Sequence, residues 1–136
     1  MITAVDTSVL LDFFVADSQF GRASRSALRT CQAEGSLVAC EIVWAEASSH
    51  FPDSEAASEA LDSLEILYST IDVAGALEAG RRWREYRLRG GPRSRATSDF
   101  LIAGHAVTKA DRLLTRDRGF YRAYFQNLEI LDPSRP

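Results

Sequence analysis

The hydrophobic positions of this chain form short continuous runs that alternate with longer stretches of helical character. The short runs are typical of buried strands and lie at residues 2–6, 36–40, 66–71, 112–115 and 128–131. Between two of them, Ala57, Leu61 and Leu64 recur at helical spacing. We therefore predict strands and helices that follow one another along the whole chain.

The predicted helices are bounded by ordinary stop and cap residues. Helical composition covers residues 8–15, 19–35, 43–51, 73–90 and 97–111, part of 53–67, and, as a helix or a turn, 118–127. Gly35 and the pair Gly90 and Gly91 act as stops, and Asp53 is a candidate N-cap. Strands that alternate with helices predict an α/β protein with a mostly parallel sheet.

Composition is ordinary for a globular protein, with 46% hydrophobic and 26% charged residues. The 136 residues suit a single domain, and no repeat or linker divides them. No apolar run of about 18 residues is present, so we predict no membrane span. The first residues lack the basic region that precedes the apolar part of a signal peptide. Cys31 and Cys40 are expected to be unpaired thiols, as is usual in a reducing compartment. We therefore predict a cytoplasmic protein.

Four carboxylates form the candidate site, and two of them stand where this fold class collects functional groups. Asp6 ends the first predicted strand and Asp117 follows the fourth, at the sheet edge where ligands bind. Glu46 has apolar neighbours in a helix, and Asp99 begins another. Singly, each acid also fits a helix cap, a surface charge or a turn former. Together they would repel one another, and a hard divalent cation such as Mg²⁺ or Mn²⁺ would relieve that repulsion and activate water.

Around these acids the chain reads AVDTSVLLDFF, LVACEIVWAEA, SDFLIAGHA and LLTRDRGFYRAYF. These blocks resemble the PIN-domain ribonucleases, especially the VapC-type toxins of bacterial and archaeal toxin–antitoxin pairs. They stand in the order of the family and span nearly the whole chain. The resemblance implies a three-layer α/β/α PIN-like fold over residues 1–136, with a central, mostly parallel sheet of four to five short strands.

The resemblance also implies an activity and a set of partners. It implies an endoribonuclease that depends on Mg²⁺ or Mn²⁺, with catalytic and metal-binding acids at Asp6, Glu46, Asp99 and Asp117. It further implies a cognate small antitoxin and a homodimer. Some members carry a further acid just after the third, where this chain has Phe100, Leu101 and Ile102. Hydroxyl residues that match supporting positions of the family are Ser8 and Thr115.

An arginine-rich segment is the second chemical signal. Residues 81–95 hold seven arginines and one acid, a local charge of +6 that leaves −9 on the rest of a chain whose net charge is −3. A solvated helix face would explain such a run, and so would contact with RNA phosphates, which arginine binds through two nitrogens. The candidate RNA-binding residues are Arg84, Arg87, Arg93, Arg95, Arg116 and Arg118.

Three other functions remain open from the sequence. A PIN nuclease that matures RNA without an antitoxin would carry the same acids. A phospho-accepting receiver domain is also a small parallel α/β fold. It needs an Asp after the third strand, for which Asp72 is the nearest match, and a Lys near the last strand, for which Lys109 is the nearest match. A PIN fold that only binds partners would not need all four acids.

Overall fold

The computed structural model of the chain describes residues 1–92 and 97–135. Within these residues lie five strands, which are β1 (Ile2–Val5), β2 (Ser36–Ala39), β3 (Ile66–Tyr68), β4 (Arg112–Leu114) and β5 (Ile130–Leu131). The helices are α1 (Thr7–Phe14), α2 (Gly21–Glu34), α3 (Glu41–Ser48), α4 (Ser54–Ser63), α5 (Val73–Leu88), α6 (Thr97–Lys109) and α7 (Arg118–Tyr124). Two predicted RNA-binding residues, Arg93 and Arg95, lie outside the described part.

The strands form one sheet in the order β3-β2-β1-β4-β5, and all four neighbouring pairs are parallel. This confirms the predicted α/β class and the parallel sheet flanked by helices. Receiver domains have the strand order 2-1-3-4-5, so the receiver alternative is wrong. Because β1 is central, Asp6 comes out in the middle of the carboxyl edge of the sheet.

The inner strands are apolar because helices cover the sheet. Ala4, Val5, Leu113 and Leu114 are all buried, as expected for parallel strands without a solvated face. The cysteines Cys31 and Cys40 are buried and unpaired, as predicted. None of the helices in the described residues is long and apolar enough to cross a membrane.

An aromatic cluster around Phe100 ties α6 to its neighbours. The Phe100 ring stacks on Trp83 of α5 at 6.0 Å and meets Phe120 of α7 edge-on at 5.1 Å. Tyr86 of α5 lies 5.4 Å from the same ring. Such pairs stabilise a core beyond the area they bury. The cluster therefore holds the first turn of α6, which carries Asp99, against α5 and α7.

The chain between α4 and β3 defines the end of one predicted helix and the start of a strand. The helix predicted for part of residues 53–67 ends at Ser63, because Glu65 takes a left-handed conformation with φ of 58° and turns the chain into β3. The strand predicted to run to Ile71 ends at Tyr68. There the backbone leaves the sheet, and the Ile71 N–H donates to the Glu41 carboxylate at 2.9 Å.

Candidate active site

Asp6 is held at the junction of β1 and α1. Its backbone N–H donates to the Leu114 carbonyl at 2.9 Å, so β4 fixes its main chain. One side-chain oxygen caps α1 by accepting from the Thr7 N–H at 2.8 Å, and the other accepts from the Thr115 hydroxyl at 2.6 Å. Only 6% of the residue is exposed. A helix cap alone does not require such burial, because most caps lie in water.

The electrostatics of Asp6 show that other acids lie close to it. Burial, followed by the charges of Asp99 and Glu46, raises the pKa of Asp6 from 3.8 to about 6, against the opposing hydrogen bonds from Thr115 and Thr7. The structure thus brings two of the other predicted acids, Asp99 and Glu46, within electrostatic reach of Asp6. A cluster of this kind stores repulsion that a cation would remove.

Glu46 and Asp99 enter the cluster from different helices. The Thr7 hydroxyl donates to Glu46 Oε1 at 2.7 Å, which joins the first turn of α1 to α3. Asp99 lies in the first turn of α6, where the helix dipole favours an acid. The fully buried Tyr121 donates its hydroxyl to Asp99 Oδ1 across a longer distance of 3.4 Å.

The backbone of Asp117 is linked to Asp6 through the side chain of Thr115. Its backbone N–H donates to Thr115 Oγ1 at 3.0 Å, and the same hydroxyl donates to Asp6. Thr115 therefore sets the spacing between the chain at Asp117 and the Asp6 carboxylate. Of the two hydroxyl residues predicted to support the acids, Thr115 makes the short contact, and Ser8 lies 3.4 Å from Asp6 Oδ2.

Three residues of this region were missed from the sequence. Thr7 and Tyr121 each hold one of the acids, and Asp12 binds Arg116. Thr7 directly follows Asp6, and Asp12 is an acid inside an apolar helix, so both carried a signal that was available. Tyr121 resembled a packing residue, because nothing in the sequence shows that its hydroxyl reaches α6.

The predicted RNA-binding arginines fall into different environments. Arg84 and Arg87 are exposed on α5 and make no ion pair with the residues that the structure describes. Arg116 is bound through two nitrogens to the Asp12 carboxylate, at 2.6 and 3.0 Å, and its guanidinium lies 4.1 Å above the Phe20 ring. Arg118 lies at the start of α7, beside Asp117.

Part of the arginine-rich segment is neutralised by its own helix. Arg81 and Arg82 both bind the Glu78 carboxylate, at 2.6 and 3.0 Å. The solvated-face interpretation fits Arg81, whose side chain is 62% exposed, whereas Arg82 is half-buried over the Phe125 ring. The arginines that remain without an acid on the same helix are Arg84 and Arg87.

Comparison with known proteins decides the family. The sequence model of the PIN domain matches residues 3–126. The chain belongs to the PIN domain family. This confirms the resemblance predicted from the four sequence blocks. No curated protein matches the chain significantly.

Solved structures similar to this PIN domain come from bacterial VapBC and related complexes. VapBC2 from Rickettsia felis, bound to a DNA fragment from its promoter, matches with a TM-score of 0.74 and 19% identity over 97% of this chain and 98% of that chain. VapBC-1 from nontypeable Haemophilus influenzae matches with a TM-score of 0.73 and 19% identity over 99% and 100%. FitAcB from Neisseria gonorrhoeae matches with a TM-score of 0.70 and 20% identity over 100% of both chains. At these identities the likeness establishes the fold.

The acids of this PIN domain fit a hard divalent cation by their chemistry. Among residues 1–92 and 97–135, no group of three or more His, Cys, Asp or Glu side chains is arranged to hold a metal ion. The charges of Asp99 and Glu46 nevertheless help to raise the pKa of Asp6, so both acids lie within electrostatic range of its carboxylate. Mg²⁺ keeps several waters and needs only one or two direct carboxylates, so an open all-oxygen cluster suits it. PIN nucleases generally use divalent metals.

Proposed function

We propose that this PIN domain is a metal-dependent endoribonuclease and the toxin of a toxin–antitoxin pair. The observation that carries the proposal is the Asp6 carboxylate, buried at the centre of the carboxyl edge of the sheet with its pKa raised to about 6. Acids kept at such an energetic disadvantage mark functional sites. The similar proteins described as VapBC toxin–antitoxin systems support the toxin assignment.

The site residues take distinct roles in this proposal. The residues that would hold Mg²⁺ or Mn²⁺ are Asp6, Glu46, Asp99 and Asp117. When bound, the metal lowers the pKa of a water and offsets charge on the phosphate. Thr115 and Thr7 orient Asp6 by donating to its two oxygens, and Ser8 adds a weaker contact.

The arginines hold the substrate in this proposal. Arg84 and Arg87 offer exposed guanidinium groups to RNA phosphates. Arg118 is a further candidate contact, as are Arg93 and Arg95, which lie outside the described residues, and Arg116 is engaged mainly by Asp12. Contacts of this kind position the RNA without selecting its sequence.

The partners of this chain follow from the same assignment. We propose a small cognate antitoxin that binds across the acidic cluster, because a basic side chain placed there would replace the metal. We also propose that residues 1–136 form a single PIN domain that pairs with a second copy and acts in the cytoplasm.

The experiment compares the purified chain with its Asp99→Asn variant on end-labelled RNA, with EDTA, Mg²⁺ or Mn²⁺. We expect cleavage by the wild-type chain only with metal, and loss of cleavage in the variant, since Asn keeps the shape but not the charge. Cleavage in EDTA, or an Asp99→Asn variant as active as the wild type, would contradict the proposal.

A further inference from the structure

A cleft of about 410 Å³ lies next to the acidic cluster. One wall is the first turns of α7, with Arg118, Gly119 and Arg122, and the other is the segment after β5, with Asp132, Ser134 and Arg135. Because β4 and β5 are neighbouring parallel strands, both walls leave the sheet at the same carboxyl edge. A cleft of this size has room for more than a bare ion.

The base of the cleft joins it to the acids. Arg116 and Asp117 lie there, and Asp117 is connected through the Thr115 hydroxyl to the Asp6 carboxylate. Asp117 and Thr115 therefore link the base of the cleft to the carboxylate at which the proposed function places the scissile phosphate. Gly119 adds no side chain to the wall, and a Cβ there would meet no atom within 4 Å.

The arginines and the acid Asp132 of the cleft differ in whether they are bound by neighbouring residues. The guanidinium groups of Arg118, Arg122 and Arg135 make no ion pair or hydrogen bond with the residues that the structure describes. By contrast, Asp132 is buried, and its Oδ1 accepts from both the N–H and the hydroxyl of Ser134, at 2.9 and 2.6 Å. The arginines are thus the groups available to a ligand.

We infer that this cleft, hereafter the α7 cleft, binds an RNA phosphate adjacent to the scissile one through Arg118, Arg122 and Arg135. This inference rests on the proposed ribonuclease function and adds to it a subsite that the sequence did not indicate, since Arg122 and Arg135 stand 13 residues apart in the chain. Arginine suits the task because its planar group donates two parallel hydrogen bonds to phosphate.

The test uses the double variant Arg122→Gln/Arg135→Gln and, as its control, Arg22→Gln/Arg29→Gln, which removes two exposed arginines from α2. Binding to short RNAs is measured in EDTA by fluorescence anisotropy, so that no cleavage occurs. Each RNA carries one uncharged methylphosphonate, placed at successive positions along the strand. Cleavage of the unmodified RNA with Mn²⁺ locates the scissile phosphate.

We expect one methylphosphonate, next to the scissile position, to weaken binding to the wild type and to the control variant by about tenfold. The α7-cleft variant should bind unmodified RNA about tenfold more weakly and lose its sensitivity at that position. Equal sensitivity of the α7-cleft variant and the control variant at every methylphosphonate position would overturn the inference. An unchanged affinity of the α7-cleft variant for RNA would also overturn it, and would favour an acidic protein segment as the ligand of the cleft. Failure of the proposed function has a separate signature, because the wild type would then bind RNA without cleaving it.

Discussion

Asp6 shows how one residue can be stabilised in place and electrostatically disfavoured at once. Two hydrogen bonds fix its oxygens, whereas burial and two neighbouring acids raise its pKa from 3.8 to about 6. A carboxyl group with a raised pKa binds its proton more tightly in the folded than in the unfolded chain. The metal-free fold therefore gains stability as pH falls from above 6 toward 3.8, and above that window the buried charge costs roughly 3 kcal/mol.

Replacing Asp6 by Asn should for this reason stabilise the metal-free protein near neutral pH. We expect urea unfolding in EDTA at pH 7.5 to give an Asp6→Asn variant about 1–3 kcal/mol more stable than the wild type, with the difference shrinking toward zero near pH 4. The Asn oxygen still accepts from the Thr7 N–H, and its amide faces Thr115. Asp62→Asn, which changes an exposed acid on α4, is the control and should show no such trend. A variant less stable than the wild type at every pH would contradict this account of Asp6.

At the scale of elements, the close crossing of α5 and α6 fixes where Asp99 stands. The two helices meet at glycines, and a Cβ on Gly104 would clash with the Gly75 carbonyl and lie 3.0 Å from the Ala79 side chain. Gly80, one turn further along α5, has open space around it. Glycine is therefore required for the close helix contact at Gly104, whereas at Gly80 no neighbouring atom requires the absence of a side chain.

These glycines give a matched pair of substitutions. Gly104→Ala should destabilise the fold by about 1–3 kcal/mol, because the helices must separate to admit the methyl group. Gly80→Ala should stabilise it by about 0.5–1 kcal/mol, since alanine is the better helix former. Thermal unfolding of both variants checks the prediction, and equal effects of the two substitutions would contradict the packing argument.

A second tie joins α1 to the segment between β4 and α7. Arg116 binds the Asp12 carboxylate, whose side chain is 5% exposed against 29% for the arginine, and Ser24 of α2 donates to the same acid at 2.8 Å. This difference in burial determines which of the two residues costs more stability when it is replaced. Loss of the arginine strands a buried charge, whereas loss of the acid leaves a guanidinium that water can still reach.

We therefore expect Arg116→Gln to destabilise the protein more than Asp12→Asn, with a loss on the order of 3–5 kcal/mol for the arginine variant. The double variant should lose less than the sum of the two single losses, because neither charge is then left alone. Denaturant unfolding of all four proteins completes this cycle. Strictly additive losses would show that the ion pair itself contributes nothing.

At the scale of the whole molecule, the sheet gathers acids from four separate stretches of chain at one edge. Asp6 and Asp117 follow β1 and β4, and Glu46 and Asp99 belong to α3 and α6. A cation that binds this edge binds only the folded state, so it should raise the stability of the entire domain by mass action. This consequence does not depend on whether RNA is cleaved.

Mn²⁺ at 100 times its dissociation constant should add about 2.7 kcal/mol, which for a chain of this size is a rise of several degrees in Tm. The Asp6→Asn and Asp99→Asn variants should show a smaller rise, and Asp62→Asn should match the wild type. Calorimetry with and without Mn²⁺ measures the shift. An equal shift in all four proteins would place the cation elsewhere.

Much of the fold was predictable because it is encoded locally. Apolar runs of four or five residues marked β1 and β2, and Gly35 marked the end of α2. The end of β3 was missed, because the carboxylate that draws Ile71 away from the sheet belongs to Glu41, 30 residues earlier. For the site, Asp6, Asp99 and Asp117 could be proposed because carboxylates after strands and in helix first turns are visible in sequence, whereas Glu46 was singled out by its apolar neighbours.

The sequence by itself determined the alternation of strands and helices and the parallel sheet, because each depends on periodicity or residue type over a few neighbouring positions. Only the tertiary structure decided the strand order, which puts Asp6 at the centre, and the engagement of Arg116 by Asp12, which distinguishes it from the exposed Arg84 and Arg87. It also decided that Thr7 and Tyr121 hold acids, as the predicted Thr115 does, and that Arg122 and Arg135 share a cleft. The physical reason is range: hydrogen bonds and charge interactions act over a few ångströms of space, and only the folded chain determines which distant residues come that close.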